Sequence, residues 1–384
     1  MSKKMQVLSC FVIALSFTAV AVAETTPIEQ VRTQSVQSNT PPDAAGLQVI
    51  DDFWRKSIDA MMLAEDTADI TMVCDELVKQ KGDKDLSFYA SAYAKAADKH
   101  LRSAMDTVSK WTENDKRLRV ERNLLILLSR LSSLELADLA VTRLNDQDPM
   151  VRYWAVRALT QPSLVVQLKG VAGDEKQTSN IIAGLEDAIK KNNDSRTWAF
   201  IGDFAVKLQT AASQNLLLSL ADKRIDAYMQ WNVTDEAADA SILKAIGAIV
   251  PVMTSPAAKQ ELLSRLGQLY SCVLQRYMKG GNLSNTSKDQ LVTAIAEVED
   301  AVILKILPGW TTKFKTTLAN NKPIDKDYEL LFGSGTRPGD LASRLNFNFG
   351  NDNDGKEILI PKPLPAEPAK AVKSAEPNLP ATQS

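Results

Sequence analysis

A single histidine, His100, is all the imidazole chemistry available to this chain of 384 residues. A Ser-His-Asp or Cys-His nucleophilic site would need it. It sits beside Asp98 and Lys99 in a helical run with no motif around it, and reads as a solvated helix residue. One histidine with Cys74 and Cys272, far apart in the chain, does not make up the usual ligand set for zinc. The two cysteines are either one candidate disulfide in an oxidising compartment or two buried apolar residues. Carboxylates cluster at Glu65, Asp66 and Asp69, and again at Glu297, Glu299 and Asp300. Glycosidic acid/base work needs two carboxyl groups facing each other across a cleft. Glu297 and Asp300 lie one turn apart on one helix, which predicts a solvated face instead. The run Phe332 to Asp340 is rich in glycine but lacks the Lys-Ser or Lys-Thr of a phosphate cradle, so a plain turn is expected. The loop from Gly350 to Gly355 alternates carboxamides and carboxylates, yet puts Gly350 and Pro361 where calcium would need its first and last ligands. These residues call for no catalytic site, no cofactor and no metal.

With no chemistry announced, the elements themselves become informative. From Asp43 to Asp148 there is no proline, nor from Ser163 to Val250, and glycine is absent between Asp83 and Lys169. Sheet-forming chains need turn punctuation roughly every 8–12 residues, so these gaps predict helices. One stretch is especially legible. Asp146, Asp148, Pro149, Val151, Arg152, Trp154, Ala155 and Leu159 combine a helix cap, a proline suited to the first helical position and an apolar stripe at helical spacing. Arg152 and Arg157 fall off that stripe. Asp-Pro-x-Val-Arg followed by Ala and Ala-Leu resembles the HEAT family of helical repeats over about residues 115 to 170. The resemblance implies a solenoid of helix pairs, and it implies that Arg152 bonds an acidic residue such as Asp146 at a turn. Arg196-Thr197-Trp198-Ala199 is an echo of Arg152-Tyr153-Trp154-Ala155 without the preceding Asp-Pro. Trp54, Trp111, Trp154, Trp198 and Trp231 arrive at about one per repeat. They are expected to pack between helix layers or, lining a concave face, to anchor a partner.

Residues 1–23 read as a cleaved export signal: Lys3 and Lys4, an apolar core, then Ala21-Val22-Ala23 before Glu24. An uncleaved anchor is the alternative. No later stretch is apolar and long enough to span a bilayer. The formal net charge is −2, and it becomes two units more negative once Lys3 and Lys4 leave. That balance argues against a nucleic-acid partner, which calls for a clustered basic face.

The expected organisation has a flexible leader over 24–42, helical repeats over 43–308, a cap over 309–360 and a disordered Pro/Ala-rich tail over 361–384. The fold class is all-α: an irregular HEAT-like helix-pair solenoid with a small C-terminal β-hairpin cap and disordered termini. Ser132 with Glu135 offers a capping box, and Asp354-Gly355 suits a hairpin turn within residues 346–360. The function expected of such a chain is exported, non-catalytic binding or scaffolding of another, unidentified envelope or secreted protein. Two alternatives remain, a cell-wall glycan enzyme using carboxylates and a carrier of apolar ligands.

Overall fold

The computed structural model describes residues 26–82, 87–170, 175–192, 194–345, 348–352 and 354–368. The candidate cleavage residues Ala21, Ala23 and Glu24 lie outside them. The first half of the array comprises α1 (Pro27–Ser38), α2 (Ala44–Leu63), α3 (Thr67–Lys81), α4 (Phe88–Val108), α5 (Asn114–Leu131), α6 (Ala137–Val141), α7 (Pro149–Leu159) and α8 (Pro162–Lys169). It continues through α9 (Glu175–Lys191), α10 (Trp198–Leu208), α11 (Ala211–Met229), α12 (Ala237–Ile249), α13 (Pro256–Lys279) and α14 (Asn285–Val298).

The helices stack serially in two layers. In one layer α3 packs on α5, α5 on α7, α7 on α10, α10 on α12 and α12 on α14. In the other α6 packs on α9, α9 on α11 and α11 on α13, and helices consecutive in sequence bridge the layers. The fold is therefore all-α and solenoid-like. Sequence periodicity gives the physical reason: each helix carries an apolar face that only its neighbours can cover, and one contiguous core runs from Ile28 to Leu364. Each fully buried Leu or Ile in it, such as Leu124 or Ile246, contributes about 1.5–3 kcal/mol.

Polar anchors fix the seams. The hydroxyls of Tyr89 and Tyr93 on α4 donate to the carbonyls of Gln80 (2.9 Å) and Leu77 (2.6 Å), satisfying C-terminal carbonyls of α3. Arg224 of α11 and Asp239 of α12 form a buried pair, with Tyr228 Oη donating to the same carboxylate at 2.6 Å.

Several expectations are corrected. Residues 27–38 of the expected flexible leader are helix α1. Thr26 and Glu29 close a capping box, and Ile28 is buried. The composition looked solvated, but α1 is clasped by α3: Arg32 donates to the Lys79 carbonyl at 2.9 Å and Glu29 pairs with Lys79 at 3.2 Å. Ser132 makes no capping box with Glu135. It takes a left-handed conformation (φ 47°) to end α5, and its hydroxyl meets Ser163 instead. The disulfide is not present, because Cys74 on α3 and Cys272 on α13 are free, buried thiols.

Beyond α14 a π-helical turn, Glu299–Ile303, leads into α15 (Leu304–Ile306), before α16 (Lys313–Ala319) and α17 (Asp325–Phe332). Two short antiparallel strands, β1 (Gly333–Ser334) and β2 (Arg337–Pro338), then precede α18 (Asp340–Leu345). The glycine-rich loop is thus a tight hairpin. Gly333 (φ +93°) is required there, since a Cβ would fall 2.3 Å from the Arg337 carbonyl oxygen. The hairpin expected within residues 346–360 has a single bridge, Asn351 with Glu357, and Asp352 accepts from Gly355 at its turn. Of the expected tail over 361–384, residues 369–384 lie outside the described residues. Residues 361–368 are laid against α13, with Pro361 and Leu364 buried.

Candidate protein-binding face

The legible stretch around α7 is built as its residue types dictate. The Asp148 carboxylate accepts from the amides of Met150 (2.8 Å) and Val151 (2.9 Å), and Pro149 occupies the first turn. Val151, Ala155 and Leu159 are buried. Arg152 bonds Asp146 at the turn, as the repeat resemblance implies, but at the main chain and not at the carboxylate. Its Nη1 donates to the carbonyls of Asp146 (2.8 Å) and Gln147 (2.9 Å), while the Asp146 carboxylate accepts from the amide of Asp148. The main-chain carbonyls of the tight turn stand in the path of the guanidinium, so they take the bond.

Outside that stripe, α7 and α10 present an aromatic and cationic surface. Tyr153, Trp154 and Phe200 are half-buried. Tyr153 meets Trp154 edge-on at 5.4 Å between centroids and Phe200 at 5.8 Å. The guanidinium of Arg157 lies 4.5 Å from the Phe200 ring centre and that of Arg196 6.0 Å from Tyr153. Asp194 holds Arg196 through two bonds of 2.7 Å, an arrangement that raises the arginine's pKa by hydrogen bonding. Arg157 differs. Among the described residues it makes no ion pair, and its Nε is buried without an acceptor. Its guanidinium is thus stacked on a ring, with no carboxylate paired to it among the described residues.

The spacing of the sequence points to Trp154 and not to Phe200, because the echo at residues 196–199 runs out of step. Tyr153 and Arg157 meet Phe200 rather than Trp198, which is buried and stacked on Arg224 at 5.1 Å.

The other candidates are accounted for individually. His100 is no solvated residue: its side chain is only 12% exposed and its Nε2 lies 2.9 Å from Asp51 Oδ1. Asp51 is held below its ordinary pKa, first by Lys99 and then by His100. Glu299 is also no part of a solvated face. Fully buried, it accepts from Trp310 Nε1 (3.0 Å) and from the amides of Lys313, Phe314 and Lys315, capping α16. Glu297 pairs with Lys244 and Asp300 with Lys315. Asp66 caps α3 through the Ala68 amide. Among the described residues no three or more His, Cys, Asp or Glu side chains gather as a metal site would, and no helix is long and apolar enough to cross a membrane.

Known protein families, characterised proteins and solved structures offer no match to this chain. The crevice under α7, lined by Arg152, Val156 and Trp198, has about 10 Å³ of space, enough for at most one water. A larger open groove of about 550 Å³ lies beside Ile28, Val49 and Phe53. Neither is lined by Tyr153, Trp154, Arg157 or Phe200.

Proposed function

We propose that this is an exported, HEAT-like scaffold whose α7–α10 face binds another envelope or secreted protein. The observation that carries this is the unpaired Arg157 on Phe200, set among half-buried Tyr153 and Trp154. Trp, Tyr and Arg are the side chains that dominate protein interfaces, because each covers a large area and keeps a polar handle. A partner presenting a carboxylate beside an apolar side chain would satisfy Arg157 and cover the rings. The glycan-enzyme alternative finds less support, since the acidic cluster it would draw on is spent on capping α16 and on two lysine pairs.

The test places a photo-crosslinking residue at Tyr153, and a control at exposed Val166 on α8, in chains expressed in their native envelope. A discrete protein adduct is expected from position 153 alone. With that partner purified, Trp154→Ala and Arg157→Ala should each weaken binding by roughly tenfold or more. If position 153 yields no specific macromolecular adduct, the scaffold reading fails.

A further inference from the structure

Residues 361–368 lie extended along α13, and their burial repeats every third position: Pro361 and Leu364 are buried, Glu367 is partly covered, and the residues between face solvent. Three residues per turn is the period of a polyproline II helix, in keeping with the prolines at 361, 363, 365 and 368. A chain in that form has no internal hydrogen bonds, so its main-chain groups are free to be read.

The surface beneath reads them. Gln268 and Gln275 sit two turns apart on one side of α13, and both are buried. Gln268 accepts from the Lys362 amide at 2.8 Å and donates to the Lys362 carbonyl at 3.0 Å. Gln275 accepts from the Leu364 amide at 2.8 Å. Ser271, bonded in turn to Tyr328, fixes the Gln275 carboxamide from behind. Trp231 donates from its indole to the Pro365 carbonyl at 3.0 Å, and the Gly281 amide meets the Glu367 carboxylate at 2.9 Å. Trp231 is itself held at φ +55°, a strained left-handed conformation, with Arg276 stacked 5.5 Å from its ring. Aromatic-lined grooves are how proline helices are recognised elsewhere, and here Trp231 supplies the aromatic with its N–H donor. Glu367 apart, the bonds go to main chain, so the surface tolerates other side chains at the outward positions.

We propose that this face of α13 is a binding site for proline-rich extended peptides. Pro361–Pro368 is its occupant within the chain, and it yields to a segment of another protein bearing Pro, Leu and Glu at three-residue spacing. The proposal is independent of whether the α7–α10 face binds a partner.

The test uses a fluorescein-labelled peptide, Pro-Lys-Pro-Leu-Pro-Ala-Glu-Pro, with the full chain and full-length Leu364→Asp. The resident segment competes at an effective concentration on the order of millimolar, so the peptide should bind Leu364→Asp at least about tenfold more tightly than the unaltered chain. Adding Gln275→Ala should remove at least about tenfold of that binding, as should replacing the peptide's leucine by aspartate. Absence of binding to a Leu364→Asp chain that keeps its helical circular dichroism overturns the proposal. Should that variant lose its helices, hydrogen exchange in the unaltered chain decides. Saturating peptide must speed exchange at the Lys362 and Leu364 amides, and unchanged rates there overturn it. A chain that self-associates on concentration and is separated by the peptide would make the occupant a second copy, and the assignment to another protein would fall.

Discussion

Asp239 is completely buried, and its carboxylate is met by Arg224 and by the hydroxyl of Tyr228. Arg224 also donates to the carbonyl of Thr234 at 3.2 Å, so the pair is hydrogen-bonded on several sides. Removing one partner leaves an uncompensated charge in the interior. Asp239→Ala should therefore cost about 3–5 kcal/mol of stability, read as a lower urea midpoint. Pairing it with Arg224→Met should recover a large part, because the stranded guanidinium is then gone. This lock was not legible in the sequence, where Arg224 and Asp239 are fifteen residues apart on different helices. Glu299 shows the same limit. An acidic cluster on a helix face looks solvated, and only the π-helical turn, which rotates Glu299 inward against the start of α16, shows otherwise.

Helices are legible where apolar spacing and end signals agree, as where Asp148-Pro149 opens α7. Where composition spoke against order, prediction failed. Helix α1 has few residues to bury, and it is held by its own capping box and by the charge and hydrogen bonds that α3 contributes. Glu29 shows how this should respond to pH. The Thr26 amide, then Lys79 and Gln80, bond its carboxylate and lower its pKa from 4.5 to about 2. A depressed folded-state pKa means the stabilisation is complete above the ordinary value and is lost as the pH falls through the folded one. Hydrogen-exchange protection of α1 should thus decline as pH drops from 4.5 toward about 2. In Glu29→Gln that decline should be absent, with α1 already weakly protected. Close approach makes a second prediction at this scale. A Cβ on Gly247 of α12 would stand 2.7 Å from Val302 in the π-helical turn. Because branched valine cannot swing aside, Gly247→Ala should destabilise by about 1–3 kcal/mol despite alanine's better helix propensity. A higher melting temperature for that variant would refute the packing described.

Across the whole molecule, covalent ties contribute nothing among the described cysteines. Burial pushes the Cys74 thiol up to about 11 and that of Cys272 to about 12. Thiol reagents at neutral pH should label both only after denaturation, and reductant should leave the melting temperature unchanged. Cohesion comes instead from serial packing, and the seams differ from one another. Glu121 draws Arg117 and Arg143 together near α7, Arg224 and Asp239 join α11 to α12, Glu236 meets Arg276 of α13, and Glu299 receives α16. In a uniform array any unit can be duplicated or excised, because every junction accepts every other. Here these four junctions each carry their own key, so copying or deleting a unit across one of them would strand a buried charge. A change in the number of units is thus costlier at these borders than growth of a loop or exchange of a surface residue.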